Sequence, residues 1–225
     1  MSADITVGIL NYKRPGNMQQ VVMSVVNQDC KPAVWLWDNN TEEPKQGDWW
    51  KHIDVVISAS HNLKCGAWAS MMALCDTEFI GKIDDDLVML DHRVLSDCMD
   101  YLRDRDHDVI VGICGVALDP NKRYPDGMWH ANMPVKDQDV AVDIPKGRFH
   151  VVRRSALMRA PYAAVGHEGD ITWPGFLAGE RRQLHRIPGM LYGRFKNLNE
   201  GSVAACSTPG HYQIREKLRR QWFSW

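Results

Sequence analysis

The sequence predicts an α/β fold in which helices flank a mostly parallel sheet, and three observations support this. Short apolar runs rich in β-branched residues alternate with helical stripes through the first half of the chain, as in parallel strands joined by crossover helices. Polar residues follow directly after several of these runs, at the sheet edge where such folds bind ligands. The 225 residues, 44% of them hydrophobic, can fill one large core, so we expect a single domain over 1–225.

The first half supplies the parallel strands and most of the covering helices. The opening run 5–10 is apolar and β-branched and stops at Asn11, which predicts a buried strand. Asn17 is placed to cap a helix over 18–28, whose Met and Val residues recur at helical spacing. Further strands are predicted over 34–37, 54–58, 79–83 and 109–114, and further helices over 66–75 and 90–102.

The second half is less regular. Its first segment, 119–139, is rich in Pro, Asp and Asn and is predicted to be a loop. A strand over 149–152, a short helix over 154–159 and a helical stretch over 171–179 follow. The terminal segment 211–225 interleaves basic and aromatic residues. Such a segment can bind phosphates and bases or a membrane surface, or it can be a terminal helix whose aromatic residues close the core.

Bulk properties exclude some classes of protein. The formal net charge of -1 gives no global electrostatic reason for a nucleic-acid or membrane partner. No run approaches the roughly 18 apolar residues of a membrane-spanning helix, and the first nine residues lack the pattern of a signal peptide. The six cysteines form no C-x-x-C pair, so reduced thiols and a cytoplasmic location are expected.

The strongest chemical signal is the run Asp84, Asp85 and Asp86 at the end of an apolar strand. Three carboxylates there are costly if they are buried without partners, and a divalent cation relieves that cost while also taking phosphate oxygens from a nucleotide. Asp84 and Asp86 are one residue apart, so they face the same side of an extended chain. A solvated acidic turn or a helix N-terminus is the alternative interpretation.

Five segments resemble the family 2 glycosyltransferases and their relatives of the GT-A fold, in the same order and spacing. In chain order these segments read TVGILNYKRP (6–15), LWDNN (36–40), HNLKCG (61–66), IDDD (83–86) and VDIPKGRFHVVRRSAL (142–157). Their order and spacing hold over about residues 5–157, roughly two thirds of the chain. The resemblance implies a donor-binding half over about 1–115 and an acceptor-side half over about 116–225.

The resemblance also implies roles for individual residues. Asp38 corresponds to the family's base-binding Asp, and the Asp triplet falls where the family carries its D-x-D metal motif. The donor would be held by Asn11, Arg14, Asp38, Asn62, Lys64, Gly66, Asp84 and Asp85, and the metal, Mn2+ or Mg2+, by Asp84, Asp86 and His211. His185 is a second candidate for the metal-binding His.

The acceptor side departs from the family pattern. The acidic catalytic motif, commonly E-D, appears here as Glu168 and Asp170 with His and Gly around them. A carboxylate in this position takes the proton of the acceptor hydroxyl. Because Asp170 directly precedes Ile-Thr-Trp, which resembles the family's E-D-x-x-W run, we favour Asp170 and keep Glu168 as the other candidate. The alternative interpretation is that Asp170 caps the following helix.

These features predict a metal-dependent glycosyltransferase that uses a nucleotide sugar, with a UDP-sugar as the expected donor. The acceptor alternatives are a glycan, a lipid-linked sugar, a protein, or a hydroxymethylated base in DNA. Trp129 and Trp173 either stack on a sugar or base or belong to the core. A nucleotidyltransferase is a rival function, although the first loop lacks the Gly-rich character such enzymes use. A non-catalytic nucleotide-sugar or glycan-binding module is another, although it has less need of the Asp triplet.

Overall fold

The computed structural model describes residues 3–39, 47–60, 62–63, 68, 73–124, 128–131, 134–160, 169–198 and 210–223, with the backbone alone for 128–131. Everything below concerns these residues. The predicted helix over 66–75 lies mostly outside them. Within them, no helix combines the length and the apolar character that a membrane span requires.

An eight-stranded sheet forms the centre of the fold, as the alternation of strands and helices predicted. Its spatial order is β3-β2-β1-β4-β11-β6-β12-β9. The strands of this sheet are β1 Ile5–Asn11, β2 Ala33–Asn39, β3 Val55–Ala59, β4 Phe79–Asp84, β6 Val111–Gly112, β9 Val140–Val142, β11 Phe149–Arg153 and β12 His185–Ile187. Two smaller sheets contain β5 Leu87–Met89 with β13 Phe195–Asn197, and β7 Gly115–Leu118 with β8 Met128–Ala131 and β10 Ile144–Pro145.

The parallel part of the sheet places the polar strand ends side by side. Strand β1 pairs in parallel with β2 and with β4, so that Asn11 lies opposite Asp38 and Leu10 opposite Asp84. Strand β11 runs antiparallel to β4, with His150 opposite Lys82. The predicted strand over 109–114 is much shorter, since only Val111–Gly112 pairs as a strand within the central sheet.

Helices cover both faces of the sheet. They are α1 Met18–Val26, α2 Val94–Arg103, α3 Arg154–Leu157, α4 Gly169–Ala178 and α5 His211–Trp222, with 3-10 turns at Pro15–Asn17, Asp48–His52 and Gly189–Leu191. One face packs the buried side chains of α1 and α2 against Val7, Ile83 and Val151. The other packs Trp68 and Trp173 against Ile80 and Val152.

Three local predictions differ from the structure. The helix predicted over 90–102 forms as Val94–Arg103 and begins four residues late. Leu90 instead donates its backbone N–H to the carbonyl of Arg194 at 2.8 Å, next to the pairing of Leu87–Met89 with Phe195–Asn197. The segment predicted as the loop 119–139 contains β8, which pairs with β7. Asn17 makes no side-chain cap to α1, because its amide instead donates to the backbone carbonyl of Asp85 at 3.0 Å.

The terminal helix α5 closes the core. Phe223 is 2% exposed, and Arg215 and Arg219 are buried although charged. A methyl group added to Gly175 of α4 would lie 2.5 Å from Cβ of Trp222, so the two helices touch through this glycine. The core-closing interpretation of the tail is therefore the one the structure supports.

Candidate active site

The carboxyl ends of β1, β2 and β4 form one edge of the sheet. At this edge the side-chain amide of Asn11 donates to Oδ1 of Asp38 at 3.4 Å, and both residues are buried. The next residue, Asn39, accepts from the backbone N–H of Leu63 at 3.0 Å, which ties the segment around 62–63 to the same edge. Asn62 is therefore near the predicted donor site, half-buried.

The three aspartates have different environments. Asp85 accepts the backbone N–H of Tyr12 at 2.7 Å and a hydrogen bond from Arg14, with which it forms an ion pair. Its side chain is 3% exposed. Burial raises the pKa of Asp85 to about 6, although Tyr12 and Arg14 act in the opposite direction. These contacts hold the first loop, including the predicted donor residue Arg14, against the end of β4.

Asp86 is also paired with arginine. Arg148 donates to its carboxylate at 3.1 Å, and Arg14 lies 3.4 Å from the other oxygen. Its side chain is 9% exposed. The backbone carbonyl of Asp86 accepts from Leu198 at 2.7 Å, so this aspartate also fixes the chain that follows β13.

Asp84 is the most open of the three. Its side chain is 31% exposed and contacts the ammonium of Lys82 at 2.9 Å. Burial raises the pKa of Asp84, the nearby Lys82 opposes this, and the repulsion from Asp86 adds to it. A cation that reached this carboxylate would relieve the repulsion between Asp84 and Asp86.

The residues at this edge fit a hard divalent cation that shares its ligands with a substrate. Among the described residues, no three His, Cys, Asp or Glu side chains are grouped closely enough to hold a metal ion by themselves. Mg2+ needs only one or two carboxylates when phosphate oxygens and water supply the other ligands, and Asp84 and Asp86 meet that lesser requirement.

The two candidate histidines differ. His185 is fully buried, and both its ring nitrogens are engaged, with Ile110 N–H and the carbonyl of Pro174, so it is not available to a metal. His211 begins α5, with its ring 5.2 Å from that of Tyr212. Its role as a metal ligand stays a prediction.

A small pocket, with room for about one water molecule, lies on the sheet face that α4 covers, next to the Lys82 side chain that contacts Asp84. Its lining residues are Trp68, Lys82, Gly147, His150, Asp170 and Trp173. Lys82 also donates to the carbonyl of Gly147, and a methyl group at Gly147 would lie 3.0 Å from the Lys82 ammonium and 3.6 Å from Cβ of Asp170. The glycine therefore allows these two charged side chains to approach the same space.

Asp170 is held by the terminal helix. Both its oxygens accept from the guanidinium of Arg215, at 3.3 and 3.0 Å, and Arg215 donates in turn to the hydroxyl of Tyr124 at 2.6 Å. Burial alone would raise the pKa of Asp170, but Arg215 and then Lys82 outweigh it, so the pKa lies below its usual value. The carboxylate is consequently ionised at neutral pH, with its charge directed to the pocket and to α5.

Several predicted residues lie outside the described part of the chain. They are Glu168, Lys64 and Gly66, together with the side chain of Trp129. Trp173 is described, and its position agrees with both predicted alternatives, a core residue and a residue of the site. Its side chain is 3% exposed within the core, and it also lines the pocket.

Four residues of the site were not found from the sequence. Lys82 could have been found, since a charged residue on an otherwise buried strand needs a partner. It lies on the same face of β4 as Ile80 and Asp84. Nothing local marks Trp68, His150 or Arg215, because their partners are distant along the chain.

The comparisons with known proteins decide the family. The sequence profile of glycosyl transferase family 2 matches residues 6–166, which include β1, β2, β4 and the Asp triplet. The chain belongs to glycosyl transferase family 2. No curated protein sequence matches it.

Solved structures show the same GT-A fold. S. aureus TarS residues 1–349, in complex with UDP-GlcNAc, superposes with a TM-score of 0.65 at 11% identity, covering 96% of this chain and 64% of that one. The mannosyltransferase PcManGT from Pyrobaculum calidifontis, in complex with GDP-Man and Mn2+, superposes with a TM-score of 0.58 at 13% identity, covering 99% of this chain and 62% of that one. This family 2 chain thus spans less than two thirds of either neighbour.

Proposed function

We propose that the chain transfers a sugar from a nucleotide-sugar donor to an acceptor hydroxyl, with a divalent cation at Asp84 and Asp86. One observation carries this proposal: the open carboxylate of Asp84 lies between the buried Asn11–Asp38 pair on one side and the pocket that contains Asp170 on the other. A donor placed along this edge would have its base, diphosphate and sugar next to different groups.

Asp38 is the proposed base-binding residue. A carboxylate accepts an N–H of a nucleobase as a charge-assisted hydrogen bond, and Asn11 orients it by donating to Oδ1. Uracil offers such an N–H, so a UDP-sugar is the proposed donor. Guanine offers N–H groups as well, and the donor experiment below therefore includes GDP-mannose. Arg14, Asn62 and Asp85 are proposed to shape this side of the site, together with Lys64 and Gly66.

The cation, Mn2+ or Mg2+, would be held by Asp84 and Asp86 with the diphosphate, and His211 is its proposed further ligand. When bound, it would offset the negative charge that the diphosphate gains as it leaves. Lys82 and Arg148 already lie against these carboxylates. They would therefore add positive charge beside the leaving group, which is an electrostatic stabilisation that is fixed before the reaction begins.

Asp170 is the proposed general base. A base must be deprotonated to take a proton, and the ion pair with Arg215 keeps Asp170 in that state. The same pair lowers its affinity for a proton, so acceptor binding would need to loosen Arg215 for efficient transfer. Glu168 is the second candidate for this role.

A glycan is the proposed acceptor, and a hydroxymethylated base in DNA is the alternative. The argument for DNA depended on a basic tail, yet the guanidinium groups of Arg215 and Arg219 are paired with Asp170 and Glu216 within the fold. A sugar hydroxyl needs no such cations, and the pocket offers aromatic and polar side chains together.

A donor screen tests the proposal. The protein is incubated with UDP-glucose, UDP-galactose, UDP-GlcNAc or GDP-mannose, with Mn2+, Mg2+ or EDTA, and the released nucleoside diphosphate is measured. We expect release from one donor that depends on the metal. Binding of a nucleotide sugar without release, also after glycan acceptors are added, would instead favour the non-catalytic binding module. No binding and no release would contradict the proposal.

A further inference from the structure

The three aspartates that end β4 are matched in charge by cationic side chains of the same chain. Among the described residues, the ion pairs join Lys82 to Asp84 at 2.9 Å, Arg148 to Asp86 at 3.1 Å, and Arg14 to Asp85. Three positive charges therefore balance three negative charges at this edge of the sheet. None of the six side chains is more than 31% exposed, so solvent screens these pairs less than it screens pairs on the surface.

This balance affects how the edge binds a divalent cation. A dication that arrives by itself is attracted by the carboxylates and repelled, over similar distances, by the cationic side chains already paired with them. A diphosphate brings negative charge that offsets the charge of the dication. The two ions together therefore leave the charge balance of the edge nearly unchanged, whereas the dication alone makes the edge strongly positive.

Lys82 is the cation that faces the most open of the carboxylates. Its side chain is 7% exposed, and its ammonium contacts Asp84 and donates to the carbonyl of Gly147. Strand pairing fixes both sides of this contact, since His150 lies opposite Lys82 in the register and the backbone N–H of Asp84 donates to the carbonyl of Arg148 at 2.9 Å. The ammonium is therefore held beside the carboxylate that a metal ion would use.

We propose that Lys82 is a built-in counter-ion of Asp84 that competes with the divalent cation and makes the metal affinity of the site depend on the diphosphate. A dication alone gains little at a carboxylate that is already paired. When the diphosphate is also bound, its negative charge interacts favourably with both the dication and the ammonium. The inference rests on the proposed function and deepens it, because it names a residue through which the site selects the cation together with the nucleotide.

Three substitutions test the charge of Lys82. Lys82→Met removes the charge and keeps most of the stem. Lys82→Gln also removes it but keeps an N–H that can donate to Gly147, in case the methionine variant does not fold. Lys82→Arg keeps the charge. The matched control is Lys51→Met, since Lys51 forms an exposed ion pair with Asp48 at 3.6 Å in the turn Asp48–His52.

Binding of Mn2+ is measured at one fixed pH from the loss of the EPR signal of the free ion, beside a thermal melt of each variant. Each protein is titrated with Mn2+ alone, with UDP and with GDP. Titrations of Mn2+ with each nucleotide and no protein give the amount of complex that forms in solution. This readout does not depend on activity, so it reports the metal site directly.

We expect one of the two nucleotides to tighten the binding of Mn2+ to wild type by at least about tenfold. Lys82→Met and Lys82→Gln should bind Mn2+ alone about tenfold more tightly than wild type, because a unit positive charge close to the dication is removed. The gain from the nucleotide should shrink by a similar factor in both variants. Lys82→Arg and Lys51→Met should stay within about twofold of wild type in every titration.

A double variant locates the ion. Combining Lys82→Met with Asp84→Asn should abolish the tighter binding of Mn2+, because the carboxylate that the lysine had paired is no longer charged. The inference is overturned if the tighter binding persists in the double variant, if removing the charge of Lys82 leaves the affinity for Mn2+ alone unchanged, or if Lys51→Met gains as much. It is also overturned if neither nucleotide changes the affinity of wild type for Mn2+.

The two proposals can fail separately. If wild type releases nucleoside diphosphate in a metal-dependent manner but both neutral variants bind Mn2+ like wild type, only the inference about Lys82 fails. If the nucleotide and Lys82 affect Mn2+ binding as expected but no nucleotide sugar is cleaved, with or without glycan acceptors, only the proposed transfer fails.

Discussion

At the residue scale, the three consecutive aspartates have different environments because the nearest cationic side chain differs for each. Asp85 is sealed against Arg14 and Tyr12, Asp86 contacts Arg148, and Asp84 contacts Lys82 while it stays partly exposed. Exposure to the site therefore decreases from Asp84 to Asp86 to Asp85. We expect substitution to reduce catalysis most at Asp84 and least at Asp85, and to reduce stability most at Asp85 and least at Asp84.

Asp84→Asn should reduce metal-dependent turnover by about 100-fold or more, the scale of losing one electrostatic contact to a developing charge. The free energy of unfolding should fall by less than for Asp85→Ala, because the amide oxygen of Asn can still accept from the Lys82 ammonium and the substitution relieves repulsion from Asp86. Nucleoside diphosphate release at saturating Mn2+ and urea unfolding measure the two quantities. The exposed Asp100→Asn is the control, and near wild-type turnover in Asp84→Asn would refute the metal assignment.

Asp85→Ala should destabilise the protein by about 3 kcal/mol, because it removes the nearer of the two carboxylates that pair with Arg14 and leaves only Asp86 at 3.4 Å. It also leaves the N–H of Tyr12 without this acceptor. Urea unfolding measures this. Adding Arg14→Met should restore part of the loss, since the uncompensated charge is removed, and the double-mutant cycle gives the coupling between the two. Strictly additive effects would show that the pair does not hold the first loop.

At the element scale, the terminal helix α5 connects the core to the pocket. Arg215, in its N-terminal half, donates to Asp170 and Tyr124. Trp222 at its C-terminal end and Phe223 directly after it pack against α4 at Gly175. Glu216 anchors the middle of the helix by accepting from the backbone of Tyr124 and from Arg219 and Arg220. The helix therefore holds both a core surface and the proposed base.

Glu216 should give this anchor a pH dependence. Hydrogen bonds lower the pKa of Glu216 from 4.5 to about 2. The bond from Arg219 has the largest effect, burial opposes it, and the bonds from Arg220 and Tyr124 add to it. A pKa depressed by folding contributes stability that is complete above the unfolded pKa and is lost as the pH falls through the folded pKa. The difference in melting temperature between wild type and Glu216→Gln should thus be constant above about pH 4.5 and disappear toward pH 2.

Comparison with a second variant isolates this effect from the other carboxylates. Glu180 is exposed, so the difference between wild type and Glu180→Gln should stay small and flat over the same range. If the difference in melting temperature between wild type and Glu216→Gln is equally small and independent of pH, the contacts of Glu216 do not stabilise α5.

The strands show where sequence patterns hold and where they fail. Strands β1, β2 and β4 were predictable because each is a continuous apolar run of a buried parallel strand. Strands β5 and β8 have only three or four residues and exist because a distant segment pairs with them. A run so short carries no periodicity, so its partner decides its conformation.

At the scale of the whole molecule, the charge is nearly balanced, with a formal net charge of -1. Two of the four basic residues of the tail, Arg215 and Arg219, are buried within the fold. Removing residues 210–225 would leave Asp170 without Arg215 and expose the surface around Gly175. The tail thus belongs to the folded domain and does not form a separate binding arm.

We therefore expect the truncated protein to lose its cooperative thermal melt together with its donor-dependent activity. Full-length protein should bind duplex DNA without the steep salt dependence of a protein that neutralises many phosphates, whose log–log slope is about -0.9 per contact. A thermal melt and a salt titration measure these. A folded truncation, beside a full-length parent with steep salt-sensitive binding, would restore DNA as the proposed acceptor.

The sequence by itself determined the fold class and the position of the carboxylates. Buried parallel strands, their succession along the chain and the polar residues at their ends are local patterns, and such patterns can be identified from the sequence alone. The family match over residues 6–166 agrees with that interpretation.

Only the tertiary structure decided which of those residues are open and what surrounds them. Lys82 meets Gly147 across 65 positions, Arg215 meets Asp170 across 45, and Arg14 meets Asp85 across 71. Such pairs form because burying an ionised group without a partner costs more than the entropy of ordering the chain that brings one. Asp84 stays open, and the pocket beside Trp68 and His150 exists, because sheet register and helix packing set these distances, which no local pattern encodes.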